Sequence, residues 1–181
     1  MNDTGTRAGA PASLLARVLG ALQLLDVDDF ARGLDRQRRE GGRFGTCALE
    51  LGLLDESTLI AALGTALGVA TVGVERLLDV PSRTLARLPR LAAERLRCVP
   101  FAEEGGRLLV ALDDPRDLPR LDQIATICGR AIAPHLALEI RLSQALERHY
   151  RIELPPRHAR ALAQLDRRAA LRAMTFPSRA T

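Results

Sequence analysis

Lysine is absent from the 181-residue chain, so all 26 basic side chains are arginines. That absence removes a class of nucleotide hydrolases, because a phosphate-binding GxxxxGK[ST] loop needs its Lys to reach the transferred phosphates. Aromatic residues are scarce as well. One Tyr, four Phe and no Trp leave no stacking platform of the kind that holds single-stranded nucleic acid. No apolar run reaches transmembrane length, and residues 1–13 are small and polar rather than leader-like, so a cytoplasmic protein without direct membrane insertion is expected. The three cysteines, Cys47, Cys98 and Cys128, are odd in number, widely spaced and free of any CxxC. They suit buried thiols in a reducing compartment better than a disulfide framework or a zinc site.

What is present points to a folded protein. A hydrophobic content of 47% is enough to build a core. The formal net charge of +4 would permit nucleic-acid binding, but the arginines are interleaved with Asp and Glu, and only the stretch from His158 to Met174 is locally basic. A solvated Arg-rich surface is the expectation, with no nucleic-acid partner.

Along the chain, residues 1–12 have the composition of a disordered end. Residues 13–67 carry helical spacing. Leu14, Leu15, Val18, Leu19 and Leu22 mark a first helix, and Asp26 is placed to cap a second from Val27 to Arg38, broken by Arg-Arg-Glu-Gly-Gly. A third helix, Phe44 to Leu51, stops at Gly52, and Asp55 or Ser57 opens a fourth that runs to Leu67. Short loops between four helices predict a small antiparallel bundle. Residues 68–150 read as an α+β unit. Pro81 and Pro89 each open a short helix, and Cys98–Ala102 and Leu108–Leu112 flank Glu104-Gly105-Gly106 as a hairpin. A helix from Leu118 to Cys128, a strand from Ala131 to Leu138 and a helix from Ile140 to Tyr150 follow. The fold class expected is therefore α+β: a helical bundle followed by a small antiparallel or mixed sheet covered by helices. Residues 151–181 form an Arg-rich tail, its part beyond Pro155-Pro156 helical in pattern but with no evident core to join.

The bundle says one thing twice. At an offset of 29 positions Leu22, Leu24, Leu25, Asp26, Phe30 and Leu34 fall on Leu51, Leu53, Leu54, Asp55, Leu59 and Leu63. A helix, a tight turn and a helix cannot bury an apolar face alone, and two such units can cover one another. The second copy, Arg43 to Ala66, resembles the cyclic di-GMP-binding motif of the MshEN domain, which occurs twice at the N-terminus of type II secretion and type IV pilus assembly ATPases. Arg43-Phe44-Gly45, Leu49, Gly52-Leu53-Leu54, Leu59 and Leu63 carry the match, with Ala66 in place of a closing Gln. The first copy, Leu14 to Gln37, keeps Leu24, Leu25, Phe30, Leu34 and Gln37. It has Leu14, Leu15 and Ala16 where the motif has Arg-Leu-Gly, and Gln23 where it has Gly. Downstream, Cys98-Val99-Pro100-Phe101, the strand ending at Asp114-Pro115 and the helix closing on His149-Tyr150 are similar to the same family, so the resemblance spans residues 13–150.

The resemblance implies a ligand-binding set of Gln37, Arg43, Phe44, Gly45, Leu49, Gly52, Leu53 and Leu54 for cyclic di-GMP. The residue types suit that ligand. Arg presents a planar fork to a guanine edge or a phosphate, Gly permits close backbone approach, a helix start suits phosphate, and leucines cover purine faces. The same leucines would serve equally as bundle core and Gly52 as a helix stop, and both readings stay open.

Nothing in the sequence points to an enzyme. His135, His149 and His158 have no metal-ligand spacing and read as surface or edge histidines. Asp113 and Asp114, before Pro115, suit a turn and helix cap rather than paired catalytic carboxylates, and no nucleophile and base motif includes the serines. Room for the ATPase that follows in the resembled family is not expected after Tyr150. The function expected is a non-catalytic regulatory or docking module with no cofactor or metal and cyclic di-GMP as its ligand. Its expected partners are secretion or pilus assembly proteins, an ATPase or an inner-membrane platform component. The alternative is a purely structural protein–protein adaptor that has lost nucleotide binding.

Overall fold

The computed structural model describes residues 24–175. The expected disordered start and first helix, and with them the first ten residues of the first motif copy, lie outside the described residues. The chain divides into two compact units between Gly68 and Val69.

The first unit contains helices α1 (Val27–Glu40), α2 (Phe44–Leu51) and α3 (Glu56–Leu67). Local chemistry sets their ends. Asp26 caps α1 by accepting the Asp29 N–H at 2.7 Å, and Asp55 caps α3 through Thr58 at 2.8 Å. Gly52 closes α2 in the left-handed region at φ 71°, where a side chain would be strained. The α1 helix runs on to Glu40, past the expected break at Arg38, because Arg38 and Arg39 are good helix formers placed at the negative end of the helix dipole. Only Gly41 stops it, its N–H bonding to Gln37 O at 2.8 Å. Phe44, Cys47, Ala48, Leu49, Leu54, Leu59 and Ala62 are buried, and the Phe44 ring lies 4.8 Å from that of Phe30. Arg36 on α1 donates from Nε to Glu50 Oε2 on α2 at 2.9 Å, giving a nearly buried carboxylate its counter-charge.

The second unit opens with three short helices, α4 (Val74–Leu78), α5 (Ser82–Leu85) and α6 (Arg90–Leu96), and continues into strands β1 (Cys98–Glu104) and β2 (Arg107–Leu112). Helix α7 (Leu118–Cys128), strand β3 (Ile132–Leu136) and helices α8 (Glu139–Tyr150) and α9 (Pro156–Thr175) complete it. Pro81 and Pro89 immediately precede α5 and α6, where a missing N–H costs nothing. The sheet has the order β1-β2-β3, antiparallel across the hairpin and parallel between β2 and β3, which α7 connects. It is a mixed sheet, and the fold is α+β as its residues imply. Thr71 bridges to Leu136 and extends the sheet beyond β3. Val99, Leu108, Val110, Leu112, Ile124 and Leu142 are fully enclosed in its core.

Two expectations differ from the structure. The Arg-rich tail does have a core to join: Ala161, Leu162 and Leu165 are buried, Arg141 on α8 pairs with Asp166 at 3.0 Å, and Ser143 Oγ lies 2.9 Å from His158 Nδ1. Asp113 and Asp114 do not cap α7. That cap is Asp117, accepting from Arg120 N at 3.2 Å, while Asp114 accepts from Arg116 N in the preceding turn. The three histidines are half-buried, in keeping with edge positions. His149 Nε2 lies 2.9 Å from Leu77 O, and His135 meets the Phe101 ring edge-on at 5.1 Å.

Candidate functional site

Helix α2 carries the heart of the second motif copy, and the structure sorts the eight candidate residues by exposure. Arg43 and Gly52 are exposed at its two ends, and Gln37 and Leu53 are half-buried beside those ends. Phe44, Gly45, Leu49 and Leu54 are buried. At 1.5 Å per residue α2 is about 12 Å long, which separates the Arg43 end from the Gly52–Leu53 end.

The Arg43 end is built by the preceding loop. Gln37 Nε2 donates to Gly42 O at 2.9 Å and fixes the two-glycine turn, so that Arg43 enters as the N-cap residue with extended backbone at φ −88° and ψ 146°. Its side chain does not cap the helix. The first-turn amides of α2 thus carry the partial positive charge of a helix start beside an exposed guanidinium, an arrangement suited to an anionic group. Gly42 needs the same freedom as Gly41, with φ at 82°.

Gly45 is a packing position. It is buried, and a Cβ placed on it would stand 3.2 Å from Leu59 Cδ2. The missing side chain is thus used by α3, whose Leu59 is fully enclosed. Phe44 likewise points into the unit, against Phe30 and against Gly33, where an added Cβ would meet Phe44 Cε2 at 2.6 Å.

The described residues contain no cluster of His, Cys, Asp or Glu that could hold a metal ion. Cys47 and Cys98 are buried and Cys128 is half-buried. Burial, with a smaller contribution from Cys128, pushes the Cys98 thiol up to about 12, which makes it a poor nucleophile. Arg120 Nη2 donates to Asp113 Oδ1 at 2.9 Å and to Asp114 O at 3.0 Å, so those carboxylates organise the end of β2. No helix among the described residues is long and apolar enough to cross a membrane.

One feature escaped the reading of the sequence. At the hairpin end of the sheet, Arg76, Arg83, Arg87, Arg107 and Arg130 gather around Glu103 and Glu104. They lie far apart in sequence, and only β-strand register and the placing of α4 and α5 bring them together.

A helical unit is thus followed by an α+β unit built on a three-stranded mixed sheet. The MshEN domain profile matches residues 72–156, so that part of the chain is similar to the MshEN domain. The match begins after the second motif copy, so it does not itself reach Arg43. The chain is 31% identical over 129 residues to the type IV pilus assembly ATPase PilB of Thermus thermophilus, covering 70% of this chain and 14% of that protein. It is 28% identical over 136 residues to PilB of Myxococcus xanthus, covering 75% and 24%. It therefore spans under a quarter of each relative's length. Among solved structures, MshE with cdg superposes with a TM-score of 0.58 at 25% identity, over 75% of this chain and 98% of that one. The N-terminal domain of XpsE, at 22% identity, superposes with a TM-score of 0.53 over 76% and 94%, and shares the fold.

Proposed function

We propose that this protein is a non-catalytic regulatory module of type IV pilus or type II secretion machinery that docks on an assembly protein and binds cyclic di-GMP weakly through its second motif copy. The observation that carries the reading is the likeness to MshE with cdg, the cyclic di-GMP complex, over nearly all of that chain. The exposed Arg43 at the start of α2 supports it, since guanidinium and first-turn amides together can hold a phosphate or a guanine edge. Gly52 and Leu53, exposed and half-buried at the other end, supply a place for a purine face. Buried Phe44, Gly45, Leu49 and Leu54 support the helix and do not touch the ligand. The assembly partner is an ATPase or an inner-membrane platform component, met in the cytoplasm, and the module itself turns over no substrate.

A ligand that binds only the folded state raises the melting temperature by mass action. Cyclic di-GMP well above its dissociation constant should therefore raise it, and GMP at the same concentration should not. An unchanged melting temperature at millimolar cyclic di-GMP would remove the nucleotide from the proposal.

A second reading, a structural adaptor without a nucleotide, is favoured by one observation. Leu59 occupies the space beside Gly45, so packing alone explains that glycine.

A further inference from the structure

We infer that the hairpin end of the sheet in the second unit is a docking surface for an acidic segment of a partner protein. Glu103 Oε1 accepts from Arg87 Nε at 3.0 Å and Oε2 from Arg130 Nη1 at 3.1 Å, so both carboxylate oxygens are engaged. Glu104 Oε1 takes Arg76 Nη2 at 2.8 Å, and the Arg76 guanidinium lies 5.3 Å from the centre of the Phe101 ring, which holds it in place. Arg107 stands opposite Glu104 in the strand register, and Arg83 adds to the positive field at Glu103, whose carboxyl is lowered chiefly by the Arg87 hydrogen bond. Arg83 and Arg107 are exposed and have no ion-pair partner among the described residues. Arg76, Arg87 and Arg130 thus pair with two carboxylates at the end of the outer strand, Arg83 and Arg107 lie beside them, and the excess charge is positive.

The chemistry selects among anionic partners. Glu103 shows that a carboxylate fits between two of these guanidinium groups, whose planar forks match carboxylate geometry. None of the exposed large apolar residues belongs to this patch, so a membrane surface would be held by charge alone, without insertion. Phe101 is 3% exposed and offers no face for base stacking, so nucleic acid would be held here by its phosphates alone. An acidic protein segment, which offers carboxylates like that of Glu103, is the class this geometry favours. This inference rests on the docking half of the proposed function and is independent of the nucleotide, whose candidate residues belong to the other unit.

The test is fluorescence anisotropy of labelled polyglutamate with the full chain at low salt, with labelled oligothymidylate and phosphatidylglycerol vesicles as parallel arms. Polyglutamate should bind more tightly than either alternative and dissociate as salt screens the contact. The double variant R83E/R107E should weaken it by at least about tenfold, while R160E/R167E on α9 should leave it unchanged. R83Q/R107Q, which introduces no repulsion, serves if the reversal impairs folding and should weaken binding in the same direction. Absence of polyglutamate binding, equal loss in the α9 variant, or oligothymidylate or vesicles binding as tightly as the peptide would each overturn the inference. None of these outcomes bears on the cyclic di-GMP melting shift, so the two readings fail separately.

Discussion

Leu59 on α3 fills the space that a side chain on Gly45 would occupy, with Cδ2 3.2 Å from an added Cβ. This contact joins the start of α2 to α3 and places a motif glycine in the core. Leu59→Ala should therefore destabilise the first unit by about 2–5 kcal/mol, the range for a fully buried Leu replaced by Ala. Urea unfolding of the variant would measure it, and a loss below about 0.5 kcal/mol, the scale of an ordinary surface substitution, would contradict this packing.

Gly33 and Phe44 make the corresponding contact between α1 and α2. An Ala at Gly33 gains about 1 kcal/mol of helix propensity, yet its Cβ would stand 2.6 Å from Phe44 Cε2. The ring is held by Phe30 and has little room to retreat. Gly33→Ala should cost about 1–3 kcal/mol net, as overpacking does. The same change in a Phe44→Leu background should cost less, and a double-mutant cycle with no coupling would show that the two do not meet.

Cys98 gives the second unit an alkaline limit. Its thiol is raised from 9.0 to about 12 by burial first and Cys128 second. The unfolded thiol ionises at lower pH than the folded one, so this contribution is intact below pH 9 and is lost as pH rises toward 12. The melting temperature should fall across that window, and less steeply in Cys98→Ala. In native protein at pH 8, iodoacetamide should label half-buried Cys128 before Cys98; mass spectrometry finding Cys98 labelled first would contradict its enclosure.

Glu103 sets an acid limit of opposite sign. Its carboxyl is held below the ordinary range, first by the Arg87 hydrogen bond and then by the charges of Arg87, Arg130 and Arg83. A lowered carboxylate contributes stability above its unfolded pKa and loses it as pH falls through the folded one. The melting temperature of Glu103→Gln should thus fall slightly below wild type at neutral pH and converge with it below the ordinary glutamate range. The effect is small because the pairs are exposed. A difference that grows in acid would contradict the pairing.

Much of this was legible in the sequence, for reasons that differ by element. Helices α1 to α3 could be placed because Asp26, Asp55, Gly52 and Gly68 are local signals acting on their own neighbours. The hairpin was legible because Glu104-Gly105-Gly106 separates two apolar runs, and both glycines take positive φ. The docking of α9 was not. Its buried residues, Ala161, Leu162 and Leu165, form a narrow stripe in an Arg-rich segment, and the polar groups that fix it, Arg141 and Ser143, lie on α8. The arginine cluster was hidden for the same reason, since no local pattern joins Arg76 to Arg130. At the candidate site the motif identified residues without saying which face solvent: Arg43 is exposed, while Phe44 and Gly45 are buried beside it.

The central claim, that the second motif copy is a nucleotide-binding surface and not only a packing unit, is tested most directly by calorimetric titration of wild type and Arg43→Ala with cyclic di-GMP. A charge-assisted contact is worth about 1.5–3 kcal/mol. The account therefore predicts that wild type binds with a dissociation constant near or below about 100 μM and that Arg43→Ala binds about 10- to 100-fold more weakly. The melting temperature of the variant should change far less than that of Leu59→Ala, since Arg43 is exposed and Leu59 is fully enclosed. No binding heat from wild type at about 100 μM ligand, or equal affinity in the two proteins, would contradict it.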